Sequence, residues 1–324
     1  MDRRSLLTGL SAFGASPLVS YAFADSYPSK PIRVIVPSSA GGAHDIIARL
    51  WADKVKAFGT FVIENRGGAG TMLGASEVAR ASPDGYMVLV GSTNTHVLQP
   101  LVSKQVNYNP LTDFSPVTVL ARTSTAVAIN PGLPVQTLDE LIAYARANPG
   151  KLALGHSGPG TNTFLSGEMF KQLGGNLNII SVPYKGAGPS FADLLSGQIQ
   201  LIVVNVTSQV IDYHKAGKIR LLCINSPARL PALPNAPTSA EAGLPDMRSE
   251  TFYATFAPAK TPLDILEKLD AATQSGLLET AFQEKMTLSG FEPILRVGPK
   301  GAMSYIKAEY DRWAPLVARI NTEH

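Results

Sequence analysis

Short apolar runs alternate along this chain with glycine-rich loops and with longer stretches whose apolar residues recur every three or four positions. That is the pattern of strand, turn and amphipathic helix. Ile32–Val36 reads as a strand, followed by Pro37-Ser38-Ser39-Ala40-Gly41-Gly42 and a helix over residues 43–58. Ile47, Leu50, Trp51, Val55 and Phe58 share one face of that helix, and Gly59 caps its end. A strand at 61–64 runs into Gly67-Gly68-Ala69-Gly70, and a third at 87–90 ends in Gly91-Ser92-Thr93-Asn94-Thr95. The motif then recurs. Residues 152–154 lead to Ser157-Gly158-Pro159-Gly160-Thr161 and a helix at 162–173 ended by Gly174; residues 179–182 lead to Gly186-Ala187-Gly188. A buried strand at 201–204 precedes Asn205-Val206-Thr207-Ser208. Thr137-Leu138-Asp139-Glu140 is a capping box that opens a further helix. Five prolines between Pro227 and Pro245 predict a long connection without regular structure, and residues 252–257 read as a strand. Met303, Ile306, Tyr310, Trp313 and Val317 form the stripe of a C-terminal helix, with a kink expected at Pro315.

Strands alternating with helices at this spacing predict parallel sheets covered on both faces, an α/β fold. The two sets of strand–loop–helix units begin about 120 residues apart, which predicts two lobes, tandem or interleaved. Each lobe offers glycine loops that free backbone N–H groups ahead of a helix N-terminus, a natural cradle for an anion.

Composition narrows the function. The 324 residues carry a net charge of +3 with no block of like charge, which argues against nucleic acid. The single cysteine, Cys223, cannot form an internal disulfide and reads as a small buried apolar residue. Arg3 and Arg4, the modestly apolar residues 6–15 and Ala22-Phe23-Ala24 read as an export signal cleaved after Ala24, twin-arginine or Sec in type. The ten residues 6–15 are too few to span a bilayer. Cleavage would remove two arginines and one aspartate, leaving +2 on a mature chain outside the cytoplasm.

Catalytic readings of the loops fail on their residues. Gly68-Ala69-Gly70-Thr71-Met72-Leu73-Gly74 is one residue too long for a dinucleotide fingerprint, and the next strand ends in Val90-Gly91-Ser92 without an acidic residue for a ribose. Gly155-His156-Ser157-Gly158-Pro159 approaches a nucleophile elbow, but Pro159 stands where glycine is required and only His214 and His324 lie downstream. The five histidines show no metal-ligand spacing, so neither metal nor cofactor is expected. Asp45 is read as orienting a loop amide or favouring the helix dipole, and Lys185 as a surface lysine or an anion contact.

Taken together, the motifs resemble those of the receptors of tripartite tricarboxylate transporters, the Bug-type periplasmic solute-binding proteins. The resemblance runs through nearly the whole mature chain: Tyr27-Pro28-Ser29-Lys30-Pro31, Gly41-Gly42 with Asp45, Val62-Ile63-Glu64-Asn65-Arg66, Pro83-Asp84-Gly85-Tyr86, Asn148-Pro149-Gly150-Lys151-Leu152, Val182-Pro183-Tyr184-Lys185-Gly186, Glu241-Ala242-Gly243-Leu244-Pro245 and Ala257-Pro258-Ala259-Lys260-Thr261-Pro262. It implies a two-lobed, type II-like binding-protein fold with parallel-rich sheets, a cleft between lobes, and a C-terminal region that returns to the first lobe. The lobes would be residues 25–122 plus 253–324, and 123–252. It further implies a monomeric receptor, not an enzyme, that holds a small organic carboxylate and delivers it to large and small membrane permease subunits. A hydrolase acting through Ser157, or a receptor for a signalling partner, are the alternatives.

Carried onto this chain, Ser38, Ser39, Ala40, Gly41 and Gly42, with Ser92 and Thr93 beside them, would present donors from one lobe. Ser157, Gly158, Gly160, Thr161, Asn162, Lys185, Gly186, Asn205 and Ser208 would face them from the other. A carboxylate taken out of water needs several such donors. This chain departs from the family at Ser38-Ser39-Ala40, at Phe164, where histidine is common, and at His44, where a smaller residue is common. These departures would suit a larger or aromatic carboxylate if His44 and Phe164 reach the ligand. The plainer expectation is that Phe164 is core and His44 faces solvent.

Overall fold

The computed structural model of the chain describes residues 27–321. The export signal read at residues 1–24 lies outside the described residues.

Strands β1 (Ile32–Val36), β2 (Phe61–Asn65) and β3 (Met87–Ser92) pair in parallel, β1 in the middle. Helices α1 (Ala43–Lys54) and α2 (Met72–Ala79) follow β1 and β2, and a short π turn then α3 (Gln99–Val102) follow β3. Strand β4 (Phe114–Ile129) is 16 residues long and leads through α4 (Leu138–Ala147) to a second parallel set. That set comprises β5 (Ala153–His156), α5 (Asn162–Leu173), β6 (Ile180–Pro183), α6 (Ala187–Ser196) and β7 (Leu201–Asn205), with α7 (Ser208–Lys215) and β8 (Arg220–Ile224) after it. Strand β9 (Glu250–Pro258) returns to the first set, followed by α8 (Leu263–Leu277), α9 (Thr280–Leu288), the short β10 (Glu292–Pro293) and α10 (Pro299–Asn321).

The strand order is β2-β1-β3-β9-β4-β7-β5-β6, with β8 and β10 also on β4. The sheets are therefore mixed: the helix-connected strands are parallel, while β4 and β9 run antiparallel to their neighbours. Both antiparallel strands belong to the crossings between lobes. Residues 114–124 of β4 pair with β9, whereas Thr125 and its successors pair with β7. At the changeover the Thr125 N–H donates to the Ser249 carbonyl at 2.9 Å, and the Ser249 N–H to that of Asn225 at 3.0 Å.

Period-two alternation explains the layering. Ile32, Val34 and Val36 of β1 face the core beneath α1, α8 and α9, while Ile35 faces the one beneath α2 and α10. In β7, Leu201 and Val203 point toward α4, and Ile202 and Val204 toward α6 and α7. Helix α10 buries Ala302, Ile306, Trp313 and Val317 in the first-lobe core. It runs through Pro315 as one helix. Helix α5 bridges the halves: Phe170 lies in a second-lobe core, and Leu165 and Met169 in the first-lobe core with Trp313.

Some boundaries shift. Helix α1 ends at Lys54 rather than Phe58; the Val55 N–H still bonds to the Trp51 carbonyl, and the chain then turns. Thr137 accepts the Glu140 N–H at 3.2 Å, but the Glu140 carboxylate reaches back to the Gln136 N–H, one residue before the cap. The proline-rich 227–245 connection has no helix or strand, yet buries Leu230, Leu233 and Ala236 against α6 and α7.

Candidate functional site

The loops after β1, β2, β5 and β6 meet the end of β7 around a cavity of about 240 Å³. Four helices begin at its wall. Gly42 caps α1, Thr71 caps α2, Gly186 caps α6 and Thr207 caps α7; all four line the cavity, and none of these helices has a side-chain cap. Unsatisfied first-turn N–H groups, each terminus worth about half a positive charge, therefore converge on one space. Lys185 is the one ionised side chain among the lining residues, and none of them is acidic. It has no carboxylate partner among the described residues.

Asp45 shapes the first cradle. Its carboxylate accepts the Gly41 N–H at 3.0 Å, the Asn65 amide at 3.1 Å and the Arg49 guanidinium at 2.9 Å. Burial pushes its carboxyl up, but these hydrogen bonds outweigh burial and hold it below the usual range. Asp45 thus fixes the loop ahead of α1 and does not line the cavity. Asp45→Ala is expected to cost about 2 kcal/mol of stability by orphaning buried donors. Asp45→Asn should cost less, because the amide oxygen still accepts from Gly41. Chemical denaturation of the two variants checks the order.

The lobes touch across the cleft. Gln99 Nε2 donates to the Pro159 carbonyl at 2.8 Å, and the Asn162 N–H to Asn94 Oδ1 at 2.8 Å. The Ser39 hydroxyl lies against Gly186, and a Cβ on Gly188 would stand 3.0 Å from the Ala40 carbonyl.

Of the residues singled out from sequence, Ser38, Gly41, Gly42, His44, Ser157, Gly158, Lys185, Gly186 and Asn205 line the cavity. Ser39, Ala40, Ser92, Thr93, Gly160, Thr161, Asn162 and Ser208 do not. The reasons are local. Ser92 and Thr93 are fully buried, their hydroxyls holding His44 and the Phe252 N–H. Thr161 donates to the Gly158 carbonyl and caps the Phe164 N–H, and Asn162 is spent on Asn94 and on Asn205. The N-terminus of α5 is thereby closed by the protein itself. Gly160 packs against Val102 and Gln99, and Ser39 and Ala40 form the contact with the 186–188 loop.

The sequence reading missed Gly68, Ala69, Gly70 and Thr71, as well as Asn94, Pro159, Tyr184 and Thr207. The first four were already visible as a glycine loop. Their signal is backbone shape: Ala69, Gly70 and Thr71 have φ of 46°, 61° and 93°, three left-handed residues in succession.

His44 does not face solvent: it is 4% exposed, lines the cavity, and its ring meets Tyr253 edge-on. Burial lowers its pKa to about 3, so it is neutral. Phe164 packs beside the first-lobe core and against His156, outside the cavity wall. His214, the downstream histidine a hydrolase would need, accepts the Leu221 N–H at 3.4 Å and has no hydrogen bond to Ser157. Among the described residues, no group of three His, Cys, Asp or Glu is placed to hold a metal ion, and no helix is long and apolar enough to cross a membrane.

The comparisons agree with this geometry. The model for the tripartite tricarboxylate transporter family receptor matches residues 47–322. Protein BugT of Bordetella pertussis is 32% identical over 322 residues, covering 98% of each chain. The solved R. palustris protein Rpa4515 with adipate is 33% identical with a TM-score of 0.87, covering 91% of this chain and 98% of that one. MatC from Rhodopseudomonas palustris with bound malate is 28% identical with a TM-score of 0.83, covering 90% and 100%. On the family match and these full-length likenesses, the chain belongs to the tripartite tricarboxylate transporter receptor family.

Proposed function

We propose that this protein is a periplasmic receptor that binds a small organic carboxylate between its lobes and delivers it to a two-part membrane permease. The observation that carries the reading is the convergence of four helix N-termini without side-chain caps, and of Lys185, on a cavity with no acidic lining residue. A carboxylate is expensive to bury unless several donors meet it, and here donors arrive from both lobes. The adipate and malate held by two relatives are of the same chemical class. Residues 25–122 plus 253–324 and residues 123–252 are proposed as the bodies that close on the ligand, pivoting where β4 passes from β9 to β7. The mature protein would begin after Ala24 and act as a monomer. No bond is made or broken: closure shifts a conformational equilibrium, and the permease reads the closed form.

The test is a thermal-shift screen on protein unfolded and refolded to remove any co-purified ligand. Adipate, malate, succinate and benzoate are compared with adipamide, a neutral control. A carboxylate bound at 1,000 times its Kd is expected to add about 4 kcal/mol, and so to raise Tm by several degrees. Adipamide should not. Equal shifts with adipamide, or none with any carboxylate in a wider panel, would refute the reading.

A further inference from the structure

Among the side chains lining the cavity, His44 is the one that combines near-complete burial, a fixed tautomer and an unused polar atom. Its Nε2 lies 2.8 Å from the Ser92 hydroxyl. That hydroxyl also accepts the Asn94 N–H at 3.1 Å, and Ser92 has no exposure to water. Sealed from water and with no other acceptor beside it among the described residues, the Ser92 hydroxyl hydrogen has His44 Nε2 as its acceptor. The ring proton must then sit on Nδ1. No protein group pairs with that atom among the described residues, and it is not sealed in the interior as Nε2 of His96 is. Tyr253, meeting the ring edge-on at 5.0 Å, holds its plane.

Resting on the carboxylate reading above, we infer that His44 is the specificity-determining residue: its Nδ1–H donates to an acceptor oxygen that the ligand carries beside its carboxylate, selecting hydroxy- and oxo-acids over plain alkanoates. The negative charge is met elsewhere, at the helix N-termini and Lys185. His44 adds a neutral donor whose direction is set by Ser92. A neutral donor without a protein partner rejects a ligand that leaves it unpaired, since a buried donor is costly when unmade.

The experiment uses pairs of ligands that differ by one hydroxyl: malate and succinate, lactate and propionate, mandelate and phenylacetate. Binding is measured by calorimetry on the refolded full chain. The wild type should bind the hydroxylated member of at least one pair about tenfold more tightly. His44→Phe should reduce that ratio to near one. His44→Asn, which keeps an amide donor near the position of Nδ1, should restore part of the ratio. Ser92→Ala frees the tautomer without altering the ring and should lower the ratio even if His44→Phe folds poorly. A merely structural role would change both members of a pair equally. Carboxylate binding without hydroxyl discrimination, or discrimination that survives His44→Phe and Ser92→Ala, overturns this inference alone. Absence of binding by every carboxylate overturns the receptor reading itself.

Discussion

Replacing Gly70 with alanine is expected to weaken carboxylate binding by about 100-fold, ~2.7 kcal/mol, while the ligand-free protein remains folded. Gly70 sits in the left-handed region at φ 61°, ψ 28°, between Ala69 and Thr71, which also have positive φ. An added Cβ would overlap the Gln99 side-chain amide and stand 2.7 Å from the Pro159 carbonyl oxygen. Gln99 can swing aside only by giving up its hydrogen bond to that same carbonyl. The carbonyl is backbone of the opposite lobe and cannot swing. Relief therefore comes from parting the two loops, which is the motion that opens the cavity. The left-handed conformation itself costs an alanine about 1 kcal/mol more than glycine. Solution scattering should show a larger radius of gyration for the variant in saturating wild-type ligand, and calorimetry should show the lost affinity. Affinity within threefold of wild type would mean that contact between these loops is not part of binding.

The same loop shows what the sequence makes legible. Glycine loops after apolar runs identify the ends of β1, β2, β5 and β6, because each loop needs close backbone approach or left-handed residues. They do not reveal which atoms of a loop face the cavity. In the segment after β3, the strand continues through Ser92 and helical turns begin at once. Ser92, Thr93, Thr95 and His96 are consequently turned into the interior, and Asn94 alone of them reaches the cavity wall. Thr161 illustrates a different limit. Its pattern is that of an N-cap, and it spends its hydroxyl on its own helix and loop instead of a ligand.

Strand β4 was illegible for a physical reason. Ser115, Pro116, Thr118, Thr123, Ser124 and Thr125 interrupt its apolar residues, and such a run reads as loop in the absence of partners. In the fold, Thr123 donates to the Val206 carbonyl at 2.7 Å and Thr118 to the Val297 carbonyl at 2.5 Å, groups 83 and 179 residues away in sequence. No local rule supplies those partners. The mixed character of the sheet follows from the same strand. Helix-linked neighbours predict parallel pairing, and the two long crossings that join the lobes supply the antiparallel pairs. The prediction of two lobes needed only the repeated loops, whereas the return of the C-terminal region to the first lobe came only from the family resemblance; β9 pairs with β3, and α10 packs in the same core as Ile35 and Leu89.

Acidification from pH 7.5 to pH 5 is expected to remove about 4 kcal/mol of stability through two histidines alone. His44 and His96 are both buried, and burial lowers each to a pKa of about 3. In the unfolded chain both titrate near 6.5. A base whose pKa is depressed on folding favours the native state fully above the unfolded value. The advantage is lost as pH falls from 6.5 toward 3, because the unfolded chain takes up protons that the native one refuses. At pH 5 each histidine is about 1.5 pH units below its unfolded value, costing ~2 kcal/mol apiece. His156, lowered chiefly by burial, acts in the same direction. Glu250 and Asp270, whose carboxyls burial pushes up, act in the opposite direction and offset part of the loss. Asp45 is held below the usual carboxylate range and still ionised at pH 5, so its contribution persists there. For a chain of this size the net loss corresponds to a fall in Tm of roughly 5 °C. Calorimetry across the interval measures it, and the double variant His44→Gln, His96→Gln should show a much shallower slope whatever its absolute Tm. His96 stacks on Phe256 at 3.6 Å with its Nε2 unpartnered, so nothing in the native state repays its protonation. A Tm that does not change between pH 7.5 and 5 would mean that one or both rings take up protons in the folded protein. For His44 that would place a cation in the cavity wall, and its preference for a neutral acceptor oxygen would have to give way to one for a second negative charge.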